Sequence, residues 1–213
     1  IRTPLNILSG FTQVLTSTGI DIDENTRSDI NRQITENTNR ITGLVNKMLA
    51  LSDAGSKMVI EQNDDVSPLQ IATQAASDAG INEAKRIVFD LQVDDEAKTI
   101  MLHTNLQQSV SALSLLLDNA LKFTKQGRVT LRVAIQSLAS EHNILFTVED
   151  TGIGVPPEEA EHIFEEFVQL DNYYNGTGIG LTIARSIARR LGGDIVLDTS
   201  YTEGARFVMS LKA

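Results

Sequence analysis

The sequence predicts an α+β chain in which a helical hairpin is followed by a mixed α/β domain whose sheet carries helices on one face. Three observations point there. Apolar residues near the N-terminus recur at helical three/four spacing; beyond Pro68 the pattern switches repeatedly between helical and alternating periods; and several alternating segments are joined by stretches too short for parallel crossovers. At 213 residues the chain has room for two small domains.

Each element follows from its residues. Ile1, Leu5, Leu8, Phe11 or Thr12, and Leu15 trace one face of a first helix, and Gly19 with Asp21 to Asn25 supplies turn and N-cap chemistry. Ile30, Ile34, Asn37, Ile41, Leu44, Met48 and Leu51 then alternate steps of four and three, a heptad seam. Two such helices have too few neighbours to bury both faces, so a second copy completing a four-helix bundle is expected, with Asn37 fixing its register. From Ala54 to Ser67 the pattern dissolves into small and polar residues and ends at Pro68. The expected domains are therefore a hairpin over 1–54, a linker over 55–66 and an α/β domain over 67–213.

Within that domain helices are expected over Ser67 to Asp78, Asn105 to Phe123, Pro157 to Phe167 and Gly180 to Leu191. Strands are expected over Arg86 to Val93, Lys98 to Leu102, Val129 to Ile135, Ile144 to Val148, Asp194 to Thr199 and Ala205 to Leu211. Gly192-Gly193 stops the last helix.

Composition narrows the chemistry. With no cysteine there is no thiolate nucleophile, disulfide framework or cysteine-ligated metal within these residues. The formal net charge of −10 argues against a broad nucleic-acid-binding face while leaving room for a local phosphate pocket. No apolar run reaches the length of a membrane span. The expectation is a soluble, cytoplasmic portion that meets a membrane only through segments outside this sequence. Its opening, Ile1-Arg2-Thr3-Pro4-Leu5-Asn6, without an initiator methionine, reads as a piece of something longer.

Three clusters carry chemistry. Asp150 shares a strand face with Ile144, Phe146 and Val148, so it points to the core side, and Thr151-Gly152-Ile153-Gly154 follows at once. It either caps the next turn or accepts from an exocyclic amino group such as that of adenine, with glycines letting a flat ligand approach. Gly176-Thr177-Gly178-Ile179-Gly180-Leu181 opens a helix with free N–H groups, suited to phosphate, or forms a flexible hinge. Asn119 and Lys122 share a helix face, either as an ordinary solvated surface or as a mount for a magnesium–phosphate unit.

The order of these clusters resembles the sensor histidine kinases, within the ATPase superfamily shared with gyrase, Hsp90 and MutL. Asn119 and Lys122 match an N box, Asp150, Gly152 and Gly154 a G1 box, Phe164 and Phe167 an F box, and Gly176, Gly178 and Gly180 a G2 box. Arg2-Thr3-Pro4-Leu5 resembles the tail of the H box. The resemblance implies a GHKL-type α/β sandwich that binds ATP and Mg2+. Asp150 would meet the adenine amino group, Asn119 the metal ion, Lys122 the phosphates, and Gly176, Thr177, Gly178, Gly180 and Leu181 the triphosphate end. Residues 168–175 would form an ATP lid in which Tyr173 and Tyr174 either cover the nucleotide or pack. Thr3 would orient water for dephosphorylating a response regulator. The implied partners are a second copy through the hairpin and the receiver domain of a response regulator, with no nucleic acid.

The sequence also departs from the pattern. The phosphorylated histidine would lie two residues before Ile1, and His103, His142 and His162 all fall outside the hairpin. The expected function is the kinase core that phosphorylates that upstream histidine, with a degenerate, nucleotide-binding scaffold as the alternative. Leu115 stands where related ATPases place a hydrolytic Glu and kinases another polar residue, which disfavours a hydrolytic clamp. The lid carries no Lys or Arg. Arg185 reads as a surface or interface residue.

Overall fold

In the computed structural model the described residues are 2–17, 23–55, 59–138, 141–168 and 178–213. The chain divides into two compact units, Ile1–Ser52 and Asp53–Ala213.

The first unit is built from helix α1 (Arg2–Thr16) and the longer helix α2 (Glu24–Gly55). Asp23 caps α2: its carboxylate accepts from the Thr26 N–H at 3.0 Å and from the Thr26 hydroxyl at 2.7 Å, bonds that hold its pKa below the ordinary value. Arg32 pairs with Asp29 and Glu36 on the solvent side. Along the heptad seam Ile30 and Asn37 are buried and Ile34 and Ile41 half-buried. The Asn37 amide donates to the Gln33 carbonyl at 2.8 Å, so its N–H is satisfied within its own helix. On α1, Leu8, Phe11 and Leu15 are half-buried, whereas Leu5 is 49% exposed.

The second unit is a five-stranded sheet carrying helices on one face. Its strands are β2 (Ile87–Val93), β4 (Gly127–Leu138), β5 (Glu141–Asp150), β6 (Asp194–Leu197) and β7 (Arg206–Lys212), in the order β2-β4-β5-β7-β6. Only β2–β4 is parallel; the other three pairs are antiparallel, and for β4–β5 and β6–β7 the short connections favour that pairing. Helices α3 (Pro68–Asp78), α4 (Leu106–Phe123) and α5 (Gly180–Arg190) cover it, with α4 against both others. Ser67 and Asn105 cap α3 and α4, each accepting from the N–H three residues on. Two short strands, β1 (Asp64–Val66) and β3 (Leu102–Thr104), pair antiparallel in a small separate sheet.

Alternation fixes the covered face. Val129, Leu131 and Val133, then Ile144, Phe146 and Val148, then Phe207, Met209 and Leu211 are at most 1% exposed. The intervening Arg128, Arg132 and Gln136 are exposed on the other face.

Two expected elements differ. The strand expected over Lys98 to Leu102 is a 3-10 turn at Ala97–Thr99, with extended chain only at Leu102–Thr104, outside the main sheet. Lys98 bonds Asp95 at 2.7 Å and the Thr99 hydroxyl bonds the Glu96 carbonyl at 2.8 Å, local bonds that compete with a ladder. The helix expected over Pro157 to Phe167 is two 3-10 turns, Pro157–Glu159 and His162–Phe164. Glu165 is extended, Phe167 takes a φ of 65°, and Phe164 is buried while Phe167 is 59% exposed. One helix face would have carried both rings inward together.

Candidate functional site

Asp150 ends β5 on the covered face and is 3% exposed. Its Oδ1 accepts from the Gly152 N–H at 2.8 Å and from the Ala205 N–H at 3.3 Å. The Thr124 hydroxyl, just past α4, is also buried near the carboxylate and helps stabilise its charge, although it makes no hydrogen bond of good geometry among the described residues. Burial outweighs these donors and pushes the Asp150 pKa above its ordinary value. Among the described residues the buried charged side chains are this carboxylate and Arg185, and the bonds that reach the carboxylate come from backbone N–H groups.

The carboxylate lies in a glycine cradle. A Cβ on Gly152 would overlap the Phe123 carbonyl oxygen at the end of α4 and stand 2.9 Å from Asp150 Oδ1. A Cβ on Gly204 would overlap the Asp150 carbonyl oxygen. Absent side chains at both positions let three backbones close on one carboxyl group, a use of glycine tied to close approach. Gly154 lies against the Gly204 backbone from the other side. The neighbouring Thr151 points to the opposite face, where its hydroxyl accepts from the Arg128 N–H at 3.0 Å.

The other expected residues fall around this centre. Asn119 and Lys122 are half-buried on the last turns of α4, away from the buried Leu113, Leu116 and Leu117, and the Lys122 ammonium lies 4.5 Å from the centre of the Phe123 ring. The structure thus joins the end of α4 directly to the Asp150 loop through Phe123, Thr124 and Gly152. Gly178, at a φ of 67°, precedes α5. Ile179 caps α5 without a side-chain acceptor, nothing lies within 4 Å of a Cβ built on Gly180, and Leu181 is half-buried. Among the described residues no N-cap side chain accepts from the first N–H groups of α5. Phe164 is buried edge-on to Phe207, the ring centres 6.3 Å apart. Gly176, Thr177, Tyr173 and Tyr174 lie outside the described residues, as does most of the expected lid; Thr3 lies on α1.

Arg185 is a correction. It is 8% exposed, bonded to Asp194 and Glu161, and stacked on Phe164, so it belongs to the interior of α5's contact with the sheet. The surface half of the expected surface-or-interface placement fails because carboxylates from two other segments, Asp194 and Glu161, pair the guanidinium where it is buried. Sequence reasoning also missed Thr124, Gly204 and Ala205. Only Gly204, alone before an alternating strand, left a trace.

A separate cavity of about 660 Å³ opens on the helix-free face, lined by residues including Val88, Arg128, Glu149 and Tyr201. Asp150 does not line it, because its side chain points to the covered face. Among the described residues no three His, Asp or Glu side chains converge into a metal-binding cluster, and no helix is long and apolar enough to cross a membrane.

Comparison with known proteins matches these two units to two families. Residues 1–57 match the His Kinase A (phospho-acceptor) domain, and residues 105–213 match the histidine kinase-, DNA gyrase B-, and HSP90-like ATPase family. Among relatives, the sensory/regulatory protein RpfC of Xanthomonas campestris pv. campestris is 33% identical across 99% of this chain and 29% of its own length. The aerobic respiration control sensor protein ArcB of Escherichia coli is 28% identical across 100% of this chain and 27% of its own length. The chain thus spans less than a third of these relatives. The crystal structure of full-length ShkA in complex with AMPPNP superposes with a TM-score of 0.75 at 26% identity, over 100% of this chain and 44% of that one. The Acinetobacter baumannii histidine kinase AdeS shares the fold, with a TM-score of 0.71 at 19% identity over 99% of this chain and 95% of that one. A phospho-acceptor helical module followed by a GHKL-type ATPase sandwich places this chain in the family of two-component sensor histidine kinases.

Proposed function

We propose that the chain is a kinase core in which the second unit binds Mg-ATP and delivers the γ-phosphoryl group to a histidine upstream of Ile1, from which it passes to an aspartate of a response-regulator receiver domain. The observation that carries this is Asp150, a buried carboxylate held by backbone N–H groups inside a glycine cradle. Such a group is expensive unless a ligand donor completes it, and an adenine amino group is a donor of the right kind. Further support comes from the ATPase family match and from the AMPPNP-bound relative.

The residues present suit the nucleotide and its metal ion. Gly152 and Gly154 let the backbone pack closely around Asp150 and hold the carboxylate in place. Asn119 offers one amide oxygen for Mg2+ and Lys122 an ammonium for the phosphates, on the α4 turns that abut the Asp150 loop. Magnesium takes few protein ligands and keeps water and phosphate oxygens, so a single Asn suffices; when bound, it neutralises charge on the phosphates. The Gly176, Thr177, Gly178, Gly180 and Leu181 stretch receives the triphosphate at the start of α5, and Tyr173 and Tyr174 cover the nucleotide.

Phosphoryl transfer needs alignment and charge neutralisation more than covalent help. A nitrogen of the neutral imidazole forms the bond to the γ-phosphorus as the bond to the bridging oxygen breaks, ADP leaves and a base takes the imidazole proton. The hairpin dimerises through its heptad seam, and Thr3 orients the water that hydrolyses the receiver's aspartyl phosphate to aspartate and inorganic phosphate; the sensor kinase/phosphatase LuxQ of Vibrio vulnificus, 30% identical over 99% of this chain and 25% of its own length, supports a dual role.

The test is a chain extended upstream of Ile1 and supplied with γ-labelled ATP. Acid-labile label on the upstream histidine, transferable to a receiver domain, is the expected result; ATP binding without label would leave the scaffold reading instead. In the same assay Thr3→Ala is expected to slow receiver dephosphorylation by about tenfold or more, within the range for positioning a reactive group, at unchanged ATP affinity. Equal phosphatase rates would remove Thr3 from the mechanism.

A further inference from the structure

Arg185 joins three elements. From a turn and a half inside α5, Nε and Nη2 reach Asp194 at 2.9 and 3.4 Å at the start of β6. Nη1 reaches Glu161 at 2.7 Å, and the guanidinium lies 4.4 Å from the centre of the Phe164 ring. Asp194 is held in turn by Arg189 at 2.9 Å and by its own N–H donating to the Ser210 hydroxyl at 3.1 Å.

Two further bonds run from the same turn toward the start of α5. The Thr182 hydroxyl donates to the Glu165 carbonyl at 3.2 Å, and the Phe167 N–H donates to the Gly178 carbonyl at 2.9 Å. The stretch Glu161 to Phe167 is therefore stitched to Gly178 to Arg185 along its length, with Arg185 at the buried end. A buried guanidinium is a costly filler, and an apolar side chain of similar volume would stabilise a plain helix–sheet contact as well or better. What the guanidinium adds is direction: its planar fork fixes two carboxylates and one ring at set angles. Glu161 is itself 79% exposed, so its bond to Arg185 adds little burial while fixing the pose of the turn.

We propose that Arg185 is a positioning residue for nucleotide binding. Through Glu161 and Phe164 it sets where the first N–H groups of α5 stand, and hence how tightly the phosphates are held, without touching the nucleotide. The inference rests on the reading above that the triphosphate docks at the start of α5.

The experiment compares ATP and adenosine affinities, by calorimetry and NMR titration, for the unmodified protein, Glu161→Gln, Arg185→Met and Arg185→Lys, each with a thermal melt. Adenosine reads the Asp150 end of the site and the increment from adenosine to ATP reads the α5 end. Glu161→Gln, on an exposed side chain, is expected to melt normally, keep its adenosine affinity and lose about three- to tenfold in ATP affinity, less than the full worth of a charge-assisted bond because the effect reaches the phosphates indirectly. Arg185→Met is expected to lose about tenfold or more for ATP alone, with Arg185→Lys recovering part of it. If Arg185→Met does not fold, Glu161→Gln decides by itself. ATP affinity unchanged in folded variants, or ATP and adenosine affinities falling in parallel, would overturn the inference while leaving the proposed function standing. An unmodified protein that binds adenosine no worse than ATP would instead overturn the phosphate site itself.

Discussion

The two units solve the burial problem differently. In the second, three sheet strands each contribute an unbroken alternating set of apolar side chains to a core closed by three helices, and the carboxylate at its edge accepts two N–H bonds from the unit's own backbone at one oxygen. In the first, a longer helix than any in the second unit carries a seam in which Ile30 and the polar Asn37 are buried while Ile34 and Ile41 are only half-covered. The second unit closes its own core and holds a buried carboxylate in a fixed place. The first carries the apolar stripe of a bundle on two helices, the pattern that the proposed dimer would complete.

The comparison can be broken most forcefully at Asp150. Asp150→Asn keeps the volume but turns an acceptor into a mixed donor and acceptor; ATP affinity is expected to fall by about ten- to a hundredfold, the worth of a hydrogen bond to a charged group, while the helical unit is untouched. Unchanged affinity by calorimetry would remove Asp150 from the site. The same carboxylate sets a pH dependence. Its folded pKa is raised by burial, so the ionised form costs stability above that pKa and the cost vanishes below the ordinary value of 3.8. Nucleotide affinity, which needs the ionised acceptor, is expected to fall on acidification before an ordinary aspartate would protonate, and the loss should be absent in Asp150→Asn.

A second, smaller effect separates the units by mass action. If the hairpin is half of a dimer, diluting the protein tenfold is expected to lower the melting temperature of the helical transition by a few degrees while leaving the sheet domain's transition fixed, since only the first is coupled to association. Circular dichroism at two concentrations checks this, and two concentration-independent transitions would make the hairpin self-sufficient.

The smallest effect sharpens the reading of the seam. Asn37→Leu replaces a polar group at a seam position, and the helical unit is expected to gain about 1–2 kcal/mol from apolar burial while losing uniqueness of register. Light scattering should then show mixed oligomers. A more stable variant with a single, unchanged dimer mass would mean that Asn37 does not specify the assembly.

Much of this was legible from local pattern. Period-two alternation placed Ile144, Phe146, Val148 and Asp150 on one face because successive side chains of a strand must point to opposite sides. The heptad steps and the glycine-flanked start of α5 could be read for the same reason: the backbone's own geometry imposes them. What the pattern misjudged was settled by partners distant in sequence. The turn at His162–Phe164 is not an α-helix because Phe164 seeks Phe207 and Glu161 reaches Arg185. Arg185 is interior because Asp194 and Glu161 arrive to neutralise it.

The sequence by itself determined the two-part architecture, the covered face of the sheet and the carboxylate on it, since helical and strand periods are properties of the chain's local stereochemistry. Only the tertiary structure decided what surrounds that carboxylate. Ala205 supplies one of its donors from 55 residues away, Gly204 and Gly152 vacate the space around it, and Thr124 closes it from the end of α4. No local rule ties those residues together, because the energy that selects them, desolvation of one buried charge, exists only once the layers have closed.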